Sequence, residues 1–141
     1  MDWEVIEQKL ESLRRSLKRI REKCPDSADG MIGNYDAQDI ISLNISRAVQ
    51  MCVDIGAHIV TSSGHAAPST MAQTFEILAN LGILSQEIAN RMKKAVGFRN
   101  ISVHSYDSIN WDMVFAIAKE HLFDFEEFAQ AILCLRESDS P

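Results

Sequence analysis

The segment Gly97–Asp107 is dense in side chains that could bind phosphate and move a proton. Arg99 offers a permanently charged fork of hydrogen-bond donors that suits phosphate oxygens. His104 can take up and release a proton near neutral pH. Asn100 adds a hydrogen-bonding amide, and Tyr106 adds a hydroxyl that could itself be modified. These residue types predict a site that holds a phosphate group and carries out acid–base chemistry.

The spacing of the two central residues constrains such a site. On one continuous helix, a five-residue gap turns the direction by about 140°, so Arg99 would share a face with Val103 and not with His104. Three arrangements therefore stay open: the helix breaks between them, the long arginine swings across, or a second subunit completes the cleft. A non-catalytic alternative makes Arg99 and Asp107 surface charges, with His104 and Tyr106 as polar-tipped packing residues.

A known family carries a similar motif. The HEPN superfamily has the pattern Arg-polar-x3-His-x-Tyr, which resembles the run Arg99-Asn100-Ile101-Ser102-Val103-His104-Ser105-Tyr106. The flanking Phe98, Asp107, Ile109 and Trp111 narrow the resemblance to HepT, the toxin family of HepT–MntA toxin–antitoxin pairs. The similarity covers at least residues 35–135.

This resemblance implies a metal-independent endoribonuclease that acts on RNA. His104 would serve as general base or acid when a ribose 2′-hydroxyl attacks the adjacent phosphodiester. Arg99 would hold the phosphate and stabilise the charge that develops on its oxygens, and Asn100 would orient the site. HEPN nucleases usually act as homodimers whose paired motifs line one cleft, which would answer the geometric objection.

The resemblance also implies a protein partner. A minimal, MntA-like nucleotidyltransferase antitoxin would use ATP and Mg²⁺ to attach adenylyl groups to Tyr106, while this chain itself would need no cofactor or metal. The alternative function is a non-catalytic helical scaffold or binding partner of a nucleotidyltransferase. A third reading is a structural dimerisation domain that uses the apolar stripe Trp3–Ile20.

Composition favours one soluble domain. The 141 residues are 46% hydrophobic but include only six glycines and three prolines, which argues against a turn-rich β-fold. The net charge of −6 disfavours bulk attraction to nucleic acid. Basic residues are concentrated locally, and Arg91, Lys93 and Lys94 are the expected RNA-binding residues. The basic run 14–23 is expected to be a solvated helix face.

Apolar residues recur at helical spacing along most of the chain. We therefore expect an all-α, mostly antiparallel bundle of four to five helices, formed by one domain over 1–141. The resemblance implies that this bundle is HEPN-like and dimeric. Thr70 is the predicted N-cap of a shorter third helix, and Ser85 is the predicted N-cap of a fourth helix. The other predicted segments are a first helix at 1–24, a second at 34–62, the motif at 99–106 and a last helix at 111–136.

Three widely spaced cysteines predict free thiols and neither a disulfide framework nor a zinc site. The first residues lack the pattern of a signal peptide, and no stretch is apolar enough for a membrane helix. A cytoplasmic location is the resulting expectation.

Overall fold

Helices make up almost all of the computed structural model, which describes residues 1–139. Seven α-helices and one short 3₁₀ turn follow one another, and the described residues include no strand. The helices are α1 (Trp3–Lys23), α2 (Ala28–Met31), α3 (Tyr35–Ser62), α4 (Met71–Asn80), α5 (Gln86–His104), α6 (Trp111–Glu120) and α7 (Leu122–Asp139), with the 3₁₀ turn at Tyr106–Ser108. The expected all-α class is confirmed.

Side-chain caps fix where the helices begin. Thr70 accepts a hydrogen bond from the backbone N–H of Gln73 at 3.0 Å, and the Gln73 side chain in turn accepts from the N–H of Ser69. Ser85 accepts from the N–H of Ile88 at 3.1 Å. Both predicted caps are confirmed, because each hydroxyl satisfies an N–H that has no partner inside its own helix.

Helices α1 and α3 form the largest helix pair and build one side of the core. The α1 stripe that could have served as a dimer contact points into the chain's own core, where Ile6, Leu13, Leu17 and Ile20 are buried. The reading of Trp3–Ile20 as a dimerisation surface is therefore wrong. These residues are buried against the chain itself, so they stabilise the monomer fold.

The segment 111–136, predicted as one helix, is two helices. α6 ends at Glu120, where the N–H of the capping residue His121 donates to the carbonyl of Ile117 at 3.0 Å, and α7 begins at Leu122. The apolar stripe runs on through the break, since Val114, Ala118 and Leu122 are all buried. Periodicity alone could not reveal the break, because both helices bury the same face.

A second difference lies between α1 and α3. The sequence predicted only a loop there, but Ser27 caps the single turn of α2 and Met31 is fully buried. Together with the split of the last segment, this raises the count above the four or five helices expected. No helix within 1–139 is both long and apolar enough to cross a bilayer.

Candidate active site

Helix α5 carries most of the motif without interruption. It runs from Gln86 to His104, and the N–H of Ser105 caps it by donating to the carbonyl of Ile101 at 2.8 Å. Arg99 and His104 therefore lie on one continuous helix and point about 140° apart. Of the three arrangements left open by the sequence, the helix break is excluded.

Arg99 lies half-buried against α3. Its Nη2 donates to Oε1 of Gln50 at 3.4 Å, and Nε2 of Gln50 donates to Oδ1 of Asp54 at 2.8 Å. Asp54 is also paired with Nζ of Lys9, 3.3 Å away. This chain of polar contacts holds the guanidinium on the α3 side of α5 and so limits how far it can swing.

The contact with Arg99 belongs to a longer row of polar residues on α3. The members of this α3 polar stripe follow one another at intervals of three or four residues: Asp39, Ser42, Ser46, Gln50 and Asp54. Ser46 Oγ lies 3.3 Å from Ser102 Oγ, and Asp39 contacts Tyr106. Residues at this spacing share one helix face. The stripe therefore sets the position of the motif relative to α3.

Tyr106 stands at the start of the 3₁₀ turn that follows α5. Its hydroxyl donates to Oδ1 of Asp39 at 2.6 Å, and its ring packs edge-on against Trp111 with centroids 5.7 Å apart. Partial burial and the hydrogen bond to Asp39 raise the pKa of the Tyr106 phenol, while a hydrogen bond with Ser42 opposes that rise. The side chain stays 40% exposed, so an incoming group can reach it.

Asn100 and His104 lie on the other, exposed side of α5. They are four residues apart and therefore share a face. Within residues 1–139, neither side chain forms a hydrogen bond or an ion pair. The structure thus joins Arg99 and Tyr106 through the α3 polar stripe and leaves Asn100 and His104 facing outward.

The three expected RNA-binding residues differ in whether their charges are already paired with carboxylates. Arg91 is paired with Glu87, with Glu127 at 3.1 Å and with Asp124 at 3.5 Å, and it lies 5.4 Å from the ring centre of Phe123. Lys93 is paired with Glu76 at 3.2 Å. Lys94 is exposed and has no ion pair with any residue of the described range.

No group of three or more histidine, cysteine, aspartate or glutamate side chains within 1–139 is arranged to hold a metal ion. The motif itself supplies a guanidinium, an imidazole, an amide and a phenol.

A family model described as "Ribonuclease HepT-like" matches residues 13–132 of this chain. That range contains the whole motif and nearly all of the helical core. The chain belongs to the HepT-like ribonuclease family.

Two HepT relatives cover most of the chain. The mRNA nuclease HepT of Shewanella oneidensis is 33% identical over 129 residues, which are 92% of this chain and 96% of that protein. The tRNA nuclease HepT of Aphanizomenon flos-aquae is 29% identical over 111 residues, covering 79% and 76% of the two chains.

Solved structures agree with the HepT-like assignment. A tri-AMPylated Shewanella oneidensis HEPN toxin in complex with MNT antitoxin has a TM-score of 0.88 at 32% identity, with coverage of 95% of this chain and 99% of that one. A toxin–antitoxin crystal structure with AMP-PNP also has a TM-score of 0.88, at 31% identity and 93% and 98% coverage.

Sequence reasoning on this HepT-like chain missed the residues that position the site. Asp39, Gln50 and Asp54 lie in α3, a helix that was predicted from the spacing of its apolar residues alone. A signal was present, because the polar residues of α3 recur at intervals of three and four just as the apolar ones do. Only the packing of α5 against α3 shows which motif residue each one contacts.

Proposed function

We propose that this chain is the toxin of a toxin–antitoxin pair and cleaves RNA as a metal-independent endoribonuclease. The observation that carries the proposal is the unbroken motif helix of a HepT-like ribonuclease, with Arg99 held on α3 through Gln50. The two HepT relatives are named as nucleases of mRNA and of tRNA, which supports RNA as the substrate class.

The reaction uses the substrate's own ribose as nucleophile. His104 takes the proton of a 2′-hydroxyl while that oxygen attacks the adjacent phosphorus, and the bond from phosphorus to the 5′-oxygen breaks. The products are a 2′,3′-cyclic phosphate and a 5′-hydroxyl, which receives a proton. Arg99 stabilises the negative charge that grows on the non-bridging oxygens, because its donors are already oriented before the reaction. Asn100, on the same face as His104, helps to orient the substrate.

A homodimer completes the site in this proposal. Arg99 and His104 diverge by about 140° on one α5 helix, so a single protomer presents them to different directions. In a two-fold dimer, every contact between one residue and a different residue of the partner occurs twice, so Arg99 of one protomer can act with His104 of the other. Two equivalent composite sites would then line the shared cleft.

Basic residues near the motif bind the phosphates of the RNA backbone. Lys94 is the best placed of the three predicted from the sequence, since it is exposed and has no carboxylate partner in the described part of the chain. Arg91 and Lys93 contribute less to RNA binding, because ion pairs with Glu127 and Glu76 already compensate their charges.

A nucleotidyltransferase antitoxin silences the toxin through Tyr106. The phenol oxygen attacks the α-phosphorus of ATP, pyrophosphate leaves, and the phenolic proton is released; Mg²⁺ on the antitoxin would accompany the ATP. The exposure of Tyr106 and the relative described as a tri-AMPylated toxin with its antitoxin support this step. An adenylyl group there places negative charge and bulk beside the site of the RNA phosphate.

Cleavage of RNA by the purified protein in EDTA tests the nuclease proposal. Wild type should cleave, and His104→Ala and Arg99→Ala should each lose at least about a hundredfold in rate, the usual effect of removing an acid–base or charge-stabilising group. His65→Ala, which alters an exposed loop histidine, is the matched control and should keep full activity. Equal cleavage by all four proteins, or none by wild type, would contradict the proposal and leave the scaffold function.

A further inference from the structure

A basic groove lies between α1 and α3, away from the residues predicted to bind RNA. Its volume is about 460 Å³, and three arginines line it: Arg15 and Arg19 from α1, and Arg47 from α3. The buried polar side chains of Ser16 and Asn44 form part of its lining, and the lining includes no acidic residue. We call this feature the arginine groove.

None of the three arginines forms an ion pair within residues 1–139, and Arg15 only adds to the effect of Arg14 in lowering the pKa of Glu11. Arg15 donates only to the hydroxyl of Ser12, at 3.3 Å. The neighbouring cations on the same helix are paired instead, Arg14 with Glu11 and Lys18 with Glu22. Helix α1 therefore has one basic face whose cations form ion pairs, at Arg14 and Lys18, and one whose cations form none, at Arg15 and Arg19. The charge that forms no ion pair is concentrated at the groove, where it attracts anions.

The arginine groove borders the candidate active site through α3. Arg47 precedes Gln50 by three residues, which places the two side chains next to each other on the helix surface. Gln50 accepts the hydrogen bond from Arg99. A strand whose phosphate lies at Arg99 can therefore continue over Arg47 into the groove.

We infer that the arginine groove binds the phosphate backbone of single-stranded RNA next to the point of cleavage. This inference rests on the proposed function. Guanidinium groups match phosphate oxygens through paired hydrogen bonds. A protein partner would be expected to find apolar or aromatic anchors at the centre of such a surface. The groove offers only Met51, which is half-buried, so RNA is favoured over an acidic surface of the antitoxin.

The test measures RNA binding in a His104→Ala background, so that cleavage does not interfere. A labelled single-stranded RNA oligonucleotide is titrated at several salt concentrations with the parent, with Arg15→Gln/Arg19→Gln, and with Arg47→Gln. The matched control is Arg14→Gln/Lys18→Gln, which removes the same charge from the same helix at the face whose cations form ion pairs. Circular dichroism and sedimentation establish that all variants keep the fold and mass of the parent.

The groove double variant should bind about tenfold or more weakly at low salt, and the slope of log affinity against log salt should fall by about 0.7 for each arginine removed. Arg47→Gln should lower the slope by one such step, and the control should stay within about twofold of the parent. Equal losses in the double variant and the control would overturn the inference, since bulk charge would then explain both. Unchanged RNA binding with weaker binding of the nucleotidyltransferase would overturn it in favour of an antitoxin surface.

The result of this binding experiment does not depend on whether the wild-type protein cleaves RNA. Loss of RNA binding in the groove variants would uphold the groove even if wild type failed to cleave. Full cleavage by wild type with unaltered binding by the groove variants would reject the groove and leave the nuclease proposal standing.

Discussion

The hydroxyl of Tyr106 donates a hydrogen bond of 2.6 Å to the carboxylate of Asp39, across 67 positions of the chain. This contact ties the turn after the motif helix to the start of α3. Partial burial and this carboxylate both raise the pKa of the phenol, since ionisation would place a second negative charge beside Asp39. The residue proposed to accept adenylyl groups is thus positioned by a hydrogen bond within the chain, and its pKa is raised there.

Replacement of Asp39 by Asn should lower the pKa of Tyr106. Partial burial and the Asp39 carboxylate both raise that pKa, and the substitution removes the charge while an amide oxygen can still accept the hydrogen bond. Tyr35 and Tyr106 are the two tyrosines of the sequence, so a Tyr35→Phe background isolates Tyr106. Tyrosinate absorbance measured against pH should shift to lower pH in Asp39→Asn. An unchanged or upward-shifted titration would contradict the assigned cause.

Adenylylation should depend on Tyr106 and not on the other tyrosine. Incubation with the cognate nucleotidyltransferase, ATP and Mg²⁺ should raise the intact mass by one or more adenylyl units. Tyr106→Phe should abolish the increase because no nucleophilic oxygen remains. Tyr35→Phe is the control, since Tyr35 is even more exposed yet lies outside the motif. A mass increase that persists in Tyr106→Phe would remove Tyr106 from this role.

Replacement by alanine should change the free energy of unfolding in opposite directions at two glycines. A Cβ at Gly56 would lie 2.5 Å from Cγ2 of Thr74 and 3.0 Å from Cδ1 of Leu78, so α3 and α4 would have to move apart. Gly56→Ala should therefore lower the free energy of unfolding by about 1–3 kcal/mol. A Cβ at Gly97 meets nothing within 4 Å, and Gly97→Ala should raise that free energy by about 0.5–1 kcal/mol.

Chemical denaturation of the two variants measures both effects. Gly97→Ala is also the control for Gly56→Ala, because it shows the effect of a glycine-to-alanine substitution in a helix where the Cβ meets no other atom. If Gly56→Ala were as stable as wild type, the close approach of α3 and α4 would be wrong.

Local sequence patterns predicted local structure well in this chain. The apolar spacing indicated α1 and α3, and hydroxyl side chains at Thr70 and Ser85 marked helix starts that the structure confirms. The divergence of Arg99 and His104 also followed from helix geometry alone. Such features depend on neighbours within a few residues.

Contacts between residues far apart in the sequence could not be predicted from such local patterns. Nothing near Arg91 in sequence reveals that Glu127, 36 residues away, neutralises it. The break at His121 was hidden because the apolar stripe crosses it, and the role of Asp39 depends on how α5 and its following turn pack against α3. Each of these features is decided by tertiary packing, which periodicity does not encode.

In the proposed dimer, Arg99 of one protomer and His104 of its partner act on the same phosphodiester. Subunit mixing tests it most directly: Arg99→Ala and His104→Ala proteins, each inactive, are unfolded together and refolded as mixed dimers. Each mixed dimer should hold one intact composite site and one that lacks both groups, so RNA cleavage should return to about half the rate per dimer of wild type. Mixed dimers that form but remain as inactive as their parents would contradict the claim.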